Sequence, residues 1–227
     1  MIKHYLKVAF RNLMKYKTQS LVSIIGLAVG FTCFALSVLW IRYEMTYDTF
    51  HKGAERIYMV RAHYTDIPEH ISNSTPYPLA AYLQEKMPEI EAKATTSIHQ
   101  NVKIRMENDE YEVVMAAADS AFMNFFHIQL LKGTVNFLKE NNPEIAVTEE
   151  FAKKLFGSED DALGKEMEVN GRSRQIGAIV SGWSRHSNIP YSVLVAARHS
   201  PRWKSGPEQL FIRVRAGMDM DTFWKKI

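Results

Sequence analysis

Few of the 227 residues stand at spacings that could do chemistry. His63, Asp66, Glu69 and His70 form the densest set of metal-type donors. Their spacing matches no recognised metal motif, and no cysteine accompanies them, so a solvated loop is the preferred reading. Gly157, Gly164, Lys165 and Glu166 imitate a phosphate loop. Six residues separate the glycines where four are needed, and Glu166 stands where a Ser or Thr would meet magnesium. The expectation is a turn between a helix and a strand. His186 lies between Ser184 and Ser187, but no Gly-x-Ser-x-Gly elbow frames a nucleophile. Asn73, Ser74 and Thr75 match a glycosylation triplet, which is common by chance. Cys33 is the only cysteine, so neither a disulfide nor a thiolate metal site can form within the chain. The reading is of a chain that is not an enzyme and binds no metal or cofactor.

The residues that do stand out would act on a membrane. Leu21 to Ile41 is an uncharged apolar run. At ~1.5 Å per residue it reaches about 31 Å, close to the ~30 Å hydrocarbon core. It is longer than a signal h-region, and it ends in Trp40, Arg42 and Tyr43 instead of a small-residue cleavage site. Within it Ser23, Gly26, Gly30, Cys33 and Ser37 are spaced 3, 4, 3, 4. Small residues on one stripe let membrane helices approach closely, so the stripe is read as a face for a partner helix.

Ahead of the span, Ile2, Tyr5, Leu6, Ala9, Phe10, Leu13 and Met14 recur at helical spacing, with Lys3, Lys7, Arg11 and Lys15 on the other side. That is an amphipathic helix whose basic face suits an anionic leaflet. Of the 28 basic residues, five lie in residues 1–20, which hold no acid; the other 23 face 25 acids. The positive charge thus belongs to a membrane flank, and the domain shows no basic face for nucleic acid. The basic flank favours an N-terminus inside, with residues 42–227 exported.

The elements expected after the span interleave. Ile57 to Ala62 reads as a strand, and Ser74, Thr75 and Pro76 open a helix carrying Leu79, Leu83, Met87 and Ile90 on one face, with a break at Pro88 as the alternative. Val102 to Glu107 and Tyr111 to Ala116 form a hairpin. Ser120 to Phe126 is helical and His127 to Leu131 extended. Thr148 caps a helix that Gly157 ends. Asn170 and Gly171 turn a second hairpin. Ser192 to Ala196 and Leu210 to Arg215 are strands, and Asp219 or Asp221 starts a last helix. The fold class is α+β, read as two subdomains behind an amphipathic helix and one transmembrane helix. The divisions expected are 1–17 for the interfacial helix, 18–41 for the span, 42–55 for a connector and 56–227 for the exported domain.

Three stretches together resemble the N-terminal part of MacB-like, FtsX-type ABC transporter permeases, particularly those of Bacteroidota. One is Tyr5-Leu-Lys-Val-Ala-Phe-Arg-Asn-Leu13 with Ile25-Gly-Leu-Ala-Val-Gly30. The second is Asp119-Ser-Ala-Phe-Met-Asn-Phe-Phe126 with Leu131-Lys-Gly133. The third is Pro143-Glu-Ile-Ala-Val-Thr148, Leu155-Phe-Gly157 and Leu163-Gly-Lys165, followed by Ser187-Asn-Ile189. The resemblance implies a bacterial inner-membrane permease with a periplasmic core domain, working in transport or efflux. It implies a cytoplasmic ABC ATPase subunit that uses the ATP, further permease helices or a second permease copy, membrane lipid and a periplasmic adaptor as partners. Members carry later helices that are not in this sequence, so a fragment of a longer permease is expected. The alternative is a single-span, membrane-anchored sensor or binding module.

Overall fold

A computed structural model describes residues 2–63, 71–106, 109–183, 186–198, 201–203 and 208–226. The chain divides into two compact units, residues 1–47 and 48–227.

The first unit holds two helices, α1 (Ile2–Lys15) and α2 (Lys17–Met45). Tyr16 parts them with φ −110° and ψ 56°, outside the helical region. The Ser20 hydroxyl donates to the Leu13 carbonyl across the joint at 3.2 Å. At ~1.5 Å per residue the 29 residues of α2 make a helix of about 43 Å. It buries none of its residues within the chain. Among the described residues it is the one helix long and apolar enough to cross a membrane. It exceeds the expected span at both ends: residues 42–45, expected in the connector, continue the helix, and residues 48–55 belong to the second unit.

Among the described residues the second unit contains eleven strands. They are β1 (Ile57–Val60), β2 (Ala62–His63), β3 (Ile71–Ser72), β4 (Ile90–Met106), β5 (Asp109–Ala118), β6 (Leu130–Gly133), β7 (Glu144–Thr148), β8 (Glu166–Val169), β9 (Arg172–Val180), β10 (Val193–Ala196) and β11 (Gln209–Val214). Its helices are α3 (Tyr77–Lys86), α4 (Phe122–Phe126), α5 (Glu149–Phe156), α6 (Glu159–Ala162) and α7 (Met220–Trp224). Strands β2 and β3 form a separate pair, and the other nine form one mixed sheet in the order β1-β11-β4-β5-β10-β7-β9-β6. The ninth, β8, pairs with both β9 and β4, at Ile104↔Val169 and Arg105↔Glu168. That pairing closes β4, β5, β10, β7, β9 and β8 into a six-stranded ring.

One core cluster draws on every strand of the ring, among them Ile104, Val113, Val147, Met167, Ile176 and Val193, joined by Phe151 of α5 and Ala162 of α6. Phe122, Phe125 and Phe126 of α4 build a second core with Phe137, Leu194 and Phe211. A third lies under α3 and α7 and includes Leu83, Leu210, Ile212 and Phe223.

The α+β class is as the sequence indicates, but the expected two subdomains are one unit. The reason is β4. Its 17 residues are nearly three times the expected length: Ile90 to Thr96 pairs with β11 in the open sheet, while Ile104 to Met106 lies in the ring. A shared strand lets neither part exist as a separate body.

Candidate functional site: the membrane helices and the lead-in to the domain

On α2 the five small residues are all exposed. At 100° per residue they fall within an arc of ~80°, so the stripe predicted from spacing is one face of the helix. A Cβ added at Gly26 or Gly30 would meet nothing within 4 Å. Ser37 turns its hydroxyl back to the Cys33 carbonyl at 2.9 Å, and Thr32 does the same to Ala28 at 2.8 Å. These polar groups are therefore satisfied inside the helix, as a lipid environment requires. Trp40 and Tyr43 lie side by side near its end, ring centres 6.2 Å apart.

Along α1, Lys3, Lys7, Arg11 and Lys15 are exposed and sweep an arc of ~120°. Met14, expected on the apolar side, falls ~20° from Lys3 by the same geometry. The apolar side is narrower by that residue.

The second unit begins with a segment that sequence reading left inside a connector. Asp48 takes φ 55°, a left-handed conformation that Asp tolerates better than most residues. This bend aims both its backbone and its side chain at residues 186–188. Its N–H donates to the His186 carbonyl at 3.2 Å. Its carboxylate accepts the Ser187 hydroxyl at 2.5 Å, the Asn188 N–H at 3.2 Å and the Asn188 side-chain amide at 3.0 Å. Hydrogen bonds to an ionised carboxylate are about twice as strong as neutral ones. Ser187 is thus the donor to a carboxylate, and it is 6% exposed.

Three residues on, His51 is 7% exposed. Its ring lies 4.2 Å from that of Phe50, 4.8 Å from Trp183 and 5.0 Å from Phe126. Its Nε2 makes no hydrogen bond and stands 3.8 Å from the Asp48 carboxylate. Burial holds His51 below its ordinary value of 6.5, Asp48 pulls the other way, and His127 adds to the lowering. A histidine so lowered binds fewer protons folded than unfolded, so its contribution to stability is lost as pH falls below about 6.5. Melting of the full chain in micelles at pH 7.5 and 5.5 checks this. Wild type should lose more Tm over that interval than His51→Phe, and parallel profiles would remove His51 as the cause. His127, lowered chiefly by burial and then by Arg213 and Lys52, is present in both proteins.

Among the described residues the other chemical candidates form no site. Residues 64–70 lie outside the described residues, so of the metal-type set only His63 is placed, opposite Ile71 in the small pair. Ser184 also lies outside them. Among the described residues no three His, Cys, Asp or Glu side chains come together. Gly157 ends α5 at φ 81°, and Ser158 caps the short α6, so the phosphate-loop imitation is a helical turn leading into β8. Thr75 of the glycosylation triplet is buried, its hydroxyl bonded to the Glu208 carbonyl at 3.1 Å.

Comparison with known proteins places this geometry. No curated protein matches the chain. A domain of a permease protein from Porphyromonas gingivalis superposes with a TM-score of 0.66 at 21% identity, over 78% of this chain and 82% of that one. The periplasmic region of MacB from Actinobacillus actinomycetemcomitans gives 0.56 at 12% identity, over 77% and 81%. The extracellular domain of the noncanonic ABC-type transporter YknZ from Gram-positive bacteria gives 0.54 at 12%, over 73% and 86%. At these identities the likeness is one of fold. The family model for the MacB-like periplasmic core domain matches residues 20–227, nearly the whole chain including most of α2. The chain therefore belongs to the MacB-like periplasmic core domain family.

Proposed function

We propose that this chain is part of the permease subunit of an ABC-type exporter or mechanotransmission complex. Energy comes from a separate cytoplasmic ATPase subunit, so the chain itself performs no catalytic step. In this reading α1 lies on the cytoplasmic leaflet of the bacterial inner membrane through Lys3, Lys7, Arg11 and Lys15. The span α2 meets other permease helices, or those of a second copy, along Ser23, Gly26, Gly30, Cys33 and Ser37. Residues 48–227 work in the periplasm and hand motion to substrate or to an adaptor.

The observation that carries the reading is that one family match takes in the apolar helix and the domain together. A free-standing ligand-binding domain would not need a span with a small-residue face. Affinity capture of the full-length native gene product in mild detergent tests it. An ABC ATPase should co-purify in stoichiometric amount. Capture of intact membrane protein with no ATPase would overturn the proposal.

A further inference from the structure

Asp48 stands three residues after the end of α2, so any pull along that helix reaches the second unit there. The order of elements makes the next step unfavourable. The first long-range strand after Asp48 is β1, which is an edge strand. It has four residues, and among the described residues it pairs within the sheet only with β11. A pull delivered to an edge strand peels it one hydrogen bond at a time. Residues 186–189, by contrast, lead directly to β10, which sits between β5 and β7 inside the ring. Displacing β10 requires both neighbouring ladders to yield together.

We propose that Asp48 is a clasp that passes the pull of the membrane helix to the loop between β9 and β10, bypassing β1. Four donor groups make it: the Asp48 N–H, and, toward its carboxylate, the Ser187 hydroxyl and the two nitrogens of Asn188, whose backbone N–H is shared between both oxygens. His51 supports it from the side, wedged against Trp183, which follows β9. His51 Nε2 makes no hydrogen bond, while the His51 N–H donates to the Asp48 carbonyl at 3.2 Å and so ties the wedge to the clasp. Farther along, Arg56 bonds to Glu91 at 2.7 Å and to the Val214 carbonyl at 3.1 Å, beside β1 and β11. Those ties lie downstream of the clasp and are spared while it holds. The inference rests on the permease reading only for the origin of the pull.

The clasp is tested by force on the full chain in bicelles, with handles at position 46, just before the clasp, and at position 154, exposed on α5. This placement leaves α2 out of the pulled path. Wild type should yield in one cooperative event. Asp48→Ala should show an earlier release of about 50 Å, the ~3.6 Å per residue of residues 48–61 drawn out as β1 peels. A second design replaces Cys33 by Ser and carries Asp48→Cys with Ser187→Cys. Oxidised, this pair should lose the early release; reduced, it should regain it. Superimposable traces for wild type and Asp48→Ala would overturn the clasp. So would an early release that persists in the oxidised pair, and the pair decides the matter if Asp48→Ala does not fold. No ATPase takes part, so a failed clasp leaves the permease reading standing, and a failed ATPase capture leaves the clasp result standing.

Discussion

Gly133→Ala should destabilise the domain by about 2–4 kcal/mol, against about 1 kcal/mol for Gly171→Ala. The two glycines have nearly the same backbone, φ 82° and φ 76°. Both therefore incur the cost of a side chain in the left-handed region. They differ in what a Cβ would touch. At Gly171, in the Asn170-Gly171 turn, it would meet nothing within 4 Å. At Gly133, the last residue of β6, it would lie 2.1 Å from the Gly177 carbonyl oxygen and 2.8 Å from the Ala178 Cα. Those are backbone atoms of β9 and cannot rotate away. Gly177 itself is hemmed in, because a Cβ there would lie 2.6 Å from the Glu144 side chain. It also sits where the β7–β9 register shifts. The close approach of β6 thus has no slack on either side of β9. A loss of 2–4 kcal/mol is a large part of the ~5–15 kcal/mol that holds a typical domain. Urea unfolding of both variants as full chains in micelles measures the difference. Equal losses at the two positions would mean that the contact with β9 contributes nothing beyond backbone conformation.

The features that could be read from sequence are those decided within a few residues. The Thr148 hydroxyl accepts the Phe151 N–H at 3.3 Å, as its place before two glutamates indicates. Asn170 and Gly171 take φ 49° and 76°, the paired positive values of a tight hairpin turn. Asp219 caps α7 through the Asp221 N–H. What was missed depends on distant partners. The first half of β4 does not alternate: Ala94 to Ser97 is buried at four successive positions, in a stretch of the strand flanked by β11 and β5, so the period-2 signal vanishes. The helix read as carrying Ile90 stops at Lys86, close to the alternative break at Pro88, because Ile90 is already in that strand. Strand β7 is nearly all apolar, Ile145 to Thr148 being buried, and such a short run carries no period of its own. Ring closure rests on the short contact of β8 with β4, which no local pattern announces. The same holds for the clasp. Asp48 and Ser187 are 139 residues apart, and an Asp in a polar stretch gives no hint of its acceptor role. The small-residue stripe of α2 was legible because its spacing is a property of one helix.

That last point gives the second large expectation. Gly30→Leu should abolish or sharply weaken assembly of the complete permease complex while membrane insertion stays intact or improves. Three effects of the substitution can be separated by sign. In the helix, Gly is about 0.8–1 kcal/mol poorer than Ala and Leu is near the top of the scale, so α2 gains intrinsic stability. In the bilayer, Leu contributes favourably to insertion, by about 0.3–0.6 kcal/mol at the centre of a span. Within the chain, a Cβ at Gly30 meets open space, so no intramolecular clash arises. Only a partner helix lying on the stripe would be pushed away, because close backbone approach is what the small residues permit. A tenfold or greater fall in association, about 1.4 kcal/mol or more, is therefore a reading of the interface alone. Phe31→Leu, off the stripe at an exposed position, serves as the matched change and should assemble like wild type. Blue-native electrophoresis of detergent-solubilised complexes, with carbonate extraction to score insertion, distinguishes the outcomes. Equal assembly of Gly30→Leu and Phe31→Leu would reduce the stripe to the ordinary small-residue content of a membrane helix, and would leave α2 as an anchor.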